Sequence, residues 1–343
     1  MSTVQTVPII DVAPFLAGDP AGTHEVIRHV SRACETIGFL VLTGHGIPLE
    51  LQERVFATSR EFFDLPEEEK LRSKIPGIYY GYNPLGAERV AYSRGEQTPP
   101  DLKANFSLGR LDVDAHDPYY HSPLGKRIFP ANIWPERPTQ FRALVTEYYR
   151  ATQRLATSLM ELFALALHLP RTYFADKTEK SVDFWRVLDY PVLTTPPLPG
   201  QLRIGAHTDY GTLTLVTADG PGLQVQTARG DWEDVPYLPG SIQVNLGDMM
   251  AQWTNDRWRS PMHRVLAPGS ELGSHATRRM ALTFFLTANY DVVIEPLATC
   301  CSPTNPPHYA PITAWEHLAA KLRRQFSRAD DVADGSHVPM AQQ

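Results

Sequence analysis

Apolar positions recur along the chain at two periods. From Ala21 to Ile37, the residues Val26, Ile27, Val30, Ala33, Cys34 and Ile37 fall three and four apart, which predicts an amphipathic helix ended by Gly38. Leu49 to Phe63 predicts a second helix. Thr139 to Leu169 predicts a long one, with Tyr148, Leu155, Leu159, Leu162, Phe163 and Ala166 as a continuous apolar stripe that would support a sheet. Strand patterns are short and numerous: Val7 to Val12, Phe39 to Thr43, Asp183 to Tyr190, Gly205 to Ala218, Gly222 to Gln226, Trp232 to Val235, Ser241 to Asn245 and Arg279 to Leu286. Turns such as Asp219-Gly220-Pro221-Gly222 and Leu238-Pro239-Gly240 divide them. Closely spaced short strands of this kind predict a barrel or jelly roll. The stretch from Tyr79 to Trp134 reads as irregular, and a loop of that length is expected to be a lid or binding segment. Ile312 to Phe326 reads as helical, and the residues from Ala329 onward as polar enough to be disordered.

The expected organisation is a mixed α/β region over 1–135, packed on a helix-supported β core over 136–326, with a flexible tail over 327–343. These parts are expected to act as one unit. A hydrophobic fraction of 43% and a charged fraction of 20% are those of a globular protein. A net charge of −6 gives no electrostatic reason to expect nucleic acid or an anionic membrane surface. With no long apolar run and no charged, apolar leader at the N-terminus, the expected location is the cytoplasm. Cys34, Cys300 and Cys301 are too few for a disulfide framework and read as reduced.

The chemistry concentrates in Gly205-Ala206-His207-Thr208-Asp209-Tyr210-Gly211. In an extended strand, residues two apart face the same way, so His207 and Asp209 can aim an imidazole and a carboxylate at one point. His263, in Ser260-Pro261-Met262-His263-Arg264-Val265, is the natural third ligand. Two imidazoles and one carboxylate leave open positions on a metal, the ligand set of non-haem Fe(II) oxygenases. A keto-acid co-substrate chelating that metal would need a cation for its distant carboxylate. Arg279 opens an apolar strand after His263 and suits that role, with Ala281, Thr283 and Phe285 on its face and Arg278 on the other. His45, flanked by glycines with no potential ligand two residues away, reads as structural.

Blocks along nearly the whole chain carry a resemblance. They include Pro8-Ile9-Ile10-Asp11, Gly38-Phe39 to His45-Gly46-Ile47-Pro48, Phe62-Phe63-Asp64-Leu65-Pro66 and Asn132-Ile133-Trp134-Pro135. The later half adds His207-Thr208-Asp209-Tyr210-Gly211, Val244-Asn245-Leu246-Gly247-Asp248, Trp253-Thr254-Asn255 and Ser260 to Val265. In this order they resemble the Fe(II)/2-oxoglutarate-dependent dioxygenases of the isopenicillin-N-synthase-like group.

The resemblance implies a mainly β protein with flanking helices and a double-stranded β-helix (jelly roll, cupin-like) core. It implies Fe(II) on His207, Asp209 and His263, with 2-oxoglutarate and O2 as co-substrates. Arg279 would anchor 2-oxoglutarate, and Tyr190, just before Pro191, matches a tyrosine that hydrogen-bonds it in similar enzymes. The implied reaction oxidises an unactivated C–H bond of a small metabolite, by default to an alcohol, with release of succinate and CO2. One departure stands out: the family's Arg-x-Ser is here Arg279-Met280-Ala281, so a serine hydroxyl is missing and weaker 2-oxoglutarate binding is expected. The stretch Pro268 to His275 is also longer than in many relatives. On the substrate side, Arg186 shares a face with Tyr190 and could meet an anionic or carbonyl-rich substrate. Tyr210 and Phe285 are candidates to flank a ring. Two other readings fit the same residues: an oxidase that uses no 2-oxoglutarate, like the group's namesake cyclase, and a non-catalytic sensor of a small ligand.

Overall fold

A computed structural model describes residues 7–76, 80–91, 95–96, 98–267 and 278–326. Tyr79, the long stretch Pro268 to His275 and the tail 327–343 lie outside the described residues. In chain order the strands are β1 (Ile9–Asp11), β2 (Phe39–Thr43), β3 (Gly81–Asn83), β4 (Ala104–Gly109), β5 (Phe184–Tyr190) and β6 (Ile204–His207). They continue with β7 (Leu213–Ala218), β8 (Leu223–Gln226), β9 (Trp232–Asp234), β10 (Ile242–Leu246), β11 (His263–Val265) and β12 (Arg279–Leu286). They form an eight-stranded sheet in the order β1-β2-β10-β7-β12-β5-β4-β3, facing a four-stranded sheet, β6-β11-β8-β9. This is the double-stranded β-helix with flanking helices. Strands from the N-terminal third, β1 to β4, extend both edges of the large sheet, so that region is built into the core sheet.

Period-two alternation decides what each face of the large sheet meets. On β12, Met280, Leu282, Phe284 and Leu286 join the core under the long helix Phe141–Ala166, together with Trp185 and Val187 of β5 and Leu155 and Leu159 of the helix. The alternate residues Ala281, Leu188 and Tyr190 pack between the sheets with Leu223, Val225 and Val265. The helices Pro20–Thr36, Leu49–Phe63 and Phe141–Ala166 follow the apolar spacing. The first starts at Pro20, one residue early, because the Asp19 carboxylate accepts from the Ala21 and Gly22 N–H groups.

Three expectations change. The run Gly205 to Ala218 is two strands in different sheets, β6 and β7, joined by a turn over 208–212. The segment from Tyr79 to Trp134 is not an irregular lid throughout, since β3 and β4 lie within it and β4 pairs with β5 along its full length. Its pattern is a strand's: Ala104, Phe106 and Leu108 join the helix-side core while Asn105 and Ser107 face inward. At the far end, Ile312–Thr313 is a short strand and the helix runs Ala314–Phe326. A reciprocal cap opens that helix, with the Thr313 N–H donating to Glu316 Oε2 and the Glu316 N–H to Thr313 Oγ1.

Candidate metal centre

His207 ends β6 and His263 starts β11, and the two residues are directly paired across the small sheet. Their rings lie 4.2 Å apart between centroids. Asp209 comes from just beyond β6, in the turn that carries the chain to the large sheet, rather than from the strand as its spacing to His207 predicts. That turn is held backbone to backbone. The Asp248 N–H donates to the Asp209 carbonyl at 2.8 Å, and the Gly247 N–H to the Thr212 carbonyl at 3.0 Å. A Cβ on Gly247 would stand 2.2 Å from the Gly211 carbonyl oxygen, and one on Gly211 would stand 2.6 Å from that of Leu286. The two motif glycines therefore permit the close approach that aims Asp209.

Nε2 of each histidine is 3.7 Å from Asp209 Oδ1, and one ligand atom from each residue lies within 4.8 Å of the others. His207 Nδ1 contacts the Gly205 carbonyl at 2.9 Å and His263 Nδ1 the Pro261 carbonyl at 3.1 Å. A carbonyl can only accept, so both Nδ1 atoms carry hydrogen and both Nε2 lone pairs point at the centre. Asp209 Oδ2 accepts from Asn245 Nδ2 at 2.6 Å and from Thr214 Oγ1, leaving Oδ1 for a metal. Burial, with His263 close by, pushes the His207 imidazole below its ordinary range and keeps it neutral. Burial works to raise Asp209, against which the hydrogen bonds from Thr214 and Asn245 favour the carboxylate, and the carboxyl is held down. With two Nε2 atoms and Oδ1 turned to one point, the set fits a divalent ion. Thr214 and Asn245 were not singled out from the sequence, although an asparagine in the middle of the apolar run of β10 was the available signal.

On the inner face of β12, Arg279 is buried with 3% exposure. Its Nε donates to the Gly220 carbonyl at 3.0 Å, while its Nη1 is buried without a partner. Its guanidinium lies 5.1 Å from the centre of the Tyr190 ring, and that of buried Arg203 lies 5.6 Å from the same ring. Burial, with Arg279 next to it, disfavours the charge on Arg203. Surplus positive charge and an orphaned N–H fit a ligand carrying a carboxylate. Arg278 faces the opposite way and pairs with Asp189 at 2.7 Å and Asp64 at 2.6 Å.

Beside the metal residues lies a cavity of about 190 Å³. Arg186, Tyr210 and Phe285 all line it, as do Lys103, Leu318 and Leu322. Lys103 and the leucines of the last helix were not singled out from the sequence. Lys103 carried a signal, because it alternates with the apolar residues of β4. A larger cavity of about 720 Å³ lies across the last helix, near Trp258 and His317, and none of the three metal residues lines it. His45 binds the Gly240 carbonyl and accepts from the Ile47 N–H, a structural role away from the metal. Cys34, Cys300 and Cys301 are free thiols. Among the described residues no helix is long and apolar enough to cross a membrane.

Comparison with known proteins agrees with this chemistry. Residues 183–288 match the 2OG-Fe(II) oxygenase superfamily, and residues 7–137 match the non-haem dioxygenase in morphine synthesis N-terminal region. The 2-oxoglutarate-Fe(II) type oxidoreductase hxnY of Emericella nidulans is 34% identical over 94% of this chain and 91% of its own. Validamycin A dioxygenase of Streptomyces hygroscopicus subsp. limoneus is 34% identical over 85% of this chain and 80% of its own. Among solved structures, a full-length Neurospora crassa protein in complex with alpha-KG and thymine superposes with a TM-score of 0.79 at 27% identity, covering 94% of this chain and 97% of that one. The Emericella nidulans relative is named for 2-oxoglutarate and the Neurospora crassa structure is a complex with it, which disfavours the readings as a 2-oxoglutarate-independent oxidase or a sensor. Sequence blocks, donor geometry and relatives converge, and the chain belongs to the 2OG-Fe(II) oxygenase superfamily.

Proposed function

We propose that His207, Asp209 and His263 hold the iron of this oxygenase, that Arg279 and Tyr190 seat 2-oxoglutarate, and that the cavity bounded by Arg186, Tyr210 and Phe285 receives the substrate. The observation that carries this reading is the convergence of three donor atoms on one point, in a chain that also buries an arginine on the inner face of β12 whose Nη1 lacks a partner. When bound, Fe(II) and 2-oxoglutarate supply the oxidising chemistry, turning O2 and 2-oxoglutarate into an oxidised substrate, succinate and CO2. The chain's own residues do the rest. Arg279 supplies fixed charge and a planar pair of donors for the distant carboxylate. Ala281 contributes no hydroxyl there, so the arginine carries that contact alone. Tyr210 and Phe285 present aromatic surface to a ring, and the apolar wall around them excludes water from the reacting C–H bond.

Thymine bound to the Neurospora crassa relative gives the scale of a ligand for such a fold. A small ring-bearing metabolite, hydroxylated at carbon, fits this cavity. N-terminal strands extend both edges of the large sheet whose inner face carries Arg279 and Arg186, which supports residues 1–135 and 136–326 acting as one unit. The test is aerobic incubation of the purified chain with Fe(II) and 2-oxoglutarate, measuring succinate and oxygen uptake. Succinate formation that needs both additions is expected, while oxygen uptake that continues without 2-oxoglutarate would overturn the reading.

A further inference from the structure

Against the wall of the substrate cavity sits a cluster of four charged side chains that iron chemistry does not require. Lys103 Nζ lies 3.0 Å from Glu88 Oε2 and 2.7 Å from Asp101 Oδ2, and Arg186 Nη1 lies 3.1 Å from the same Glu88 oxygen. The side chains of Lys103, Glu88, Asp101 and Arg186 are only 1, 5, 2 and 7% exposed. Neutral groups complete the cluster: Asn105 Nδ2 donates to Glu88 Oε1 at 3.0 Å, Arg186 Nε to Ser107 Oγ at 2.9 Å, and the Gly205 N–H to Asp101 Oδ1 at 3.0 Å. Among the described residues, these two cations face two carboxylates. The arrangement is one-sided, since Lys103 and Arg186 line the cavity while Glu88 and Asp101 do not. Apolar Val90, Phe184, Leu188 and Ile204 make up much of the neighbouring wall.

We propose that this self-neutralised cluster selects a compact, uncharged substrate that turns a carbonyl or similar acceptor oxygen toward Lys103 and Arg186. The inference rests on the reading that this cavity is the substrate chamber. An anionic substrate would compete with Glu88 and Asp101 for the same cations, and would be held close to both carboxylates where salt screens little. A cationic substrate would meet the two positive groups first. A neutral acceptor keeps every ion pair and adds charge-assisted hydrogen bonds, while the apolar wall takes the rest of the ring. Glu88 sets this preference, because it is the one carboxylate shared by both cations. Without its charge, Arg186 and Lys103 lose the carboxylate they share, and the positive character of the cavity wall rises.

Ligand-observed NMR tests this on the oxygen-free enzyme loaded with Fe(II) and 2-oxoglutarate. The probes are size-matched lactams, ring carboxylates and cyclic amines, with broadening by the paramagnetic ion marking those bound beside the metal. Lactams are expected to bind at least tenfold tighter than carboxylates of the same ring, and Glu88→Gln is expected to cut that ratio at least tenfold. Three results overturn the proposal: carboxylates or amines preferred by the unaltered protein, an unchanged ratio in Glu88→Gln, or no lactam bound near the metal. The first and third need no variant, so they stand even if Glu88→Gln fails to fold. Succinate release from 2-oxoglutarate when the same unaltered preparation is then exposed to oxygen separates the two readings. Its loss defeats the proposed function, whereas its persistence with the wrong ligand order defeats only the charge argument.

Discussion

Two neighbouring patches between the sheets, one at Arg279 and one at Lys103 and Arg186, are charged on opposite principles. Arg279, proposed to seat the co-substrate, is buried with an unpartnered N–H, and no carboxylate among the described residues lies within ion-pair distance of it. Lys103 and Arg186, which line the cavity proposed for the substrate, are equally buried, yet each has a carboxylate partner on this chain. Burying an uncompensated charge costs several kcal/mol, so folding tolerates it only where a ligand will later supply the counter-charge. The difference lies in the counter-charge: a buried cation with no carboxylate beside it marks the place of an anion, and one already paired with a carboxylate marks the place of something neutral.

The comparison can be broken most severely at the metal. Asp209→Ala should take succinate formation below detection while circular dichroism shows the fold retained. Unchanged turnover would remove the centre from consideration. Next comes the orphaned cation: Arg279→Leu should raise the KM for 2-oxoglutarate by about a hundredfold, the value of a pair of charge-assisted hydrogen bonds. Arg278→Leu is the control, because its partners Asp189 and Asp64 lie on the other face, and its KM should stay within about twofold. Equal effects of the two would dissolve the distinction between the faces of β12.

Smaller effects sharpen the picture. Asn245→Ala frees Asp209 Oδ2 from one of its two hydrogen bonds and should weaken iron binding about tenfold to a hundredfold in metal titration. In the metal-free protein, His207 and Asp209 both have folded pKa values below their unfolded ones, so the unfolded chain binds more protons. Stability should therefore rise with pH up to the ordinary histidine value of 6.5 and level off above it, at no more than about 1.4 kcal/mol per pH unit for each proton. Chemical denaturation at stepped pH measures this, and a stability that falls across that range would reverse the assignment. Smallest is Ala281→Ser, which supplies a neutral hydroxyl beside Arg279 and should lower the KM for 2-oxoglutarate by about threefold to tenfold.

Much of the architecture was legible because it rests on periodicity. The boundaries of Leu49–Phe63 and of β12 follow directly from the spacing of their apolar residues. Metal residues were legible because a His-x-Asp pair beside glycines is a dense local signal. The failures share a cause. Residues 205–218 form one apolar-rich run in sequence, yet the fold breaks it between two sheets, since only tertiary pairing to β11 and β10 decides where it turns. Lys103, Asn105 and Ser107 looked like loop residues because polar side chains inside a barrel invert the usual inside-outside pattern. Glu88 and Asp101 could not be recognised at all, because their meaning lies in partners brought together by folding.

The last helix has a consequence for the order in which the protein becomes competent. Leu318 and Leu322 wall the reaction chamber, and Lys321 grips Asp248 at 2.6 Å, which in turn accepts from Thr208 in the metal turn. A nascent polypeptide that has already emerged with every metal residue still lacks one side of its chamber. The wall that closes the chamber is thus made after every metal candidate, and it is tied back to the turn that carries Asp209.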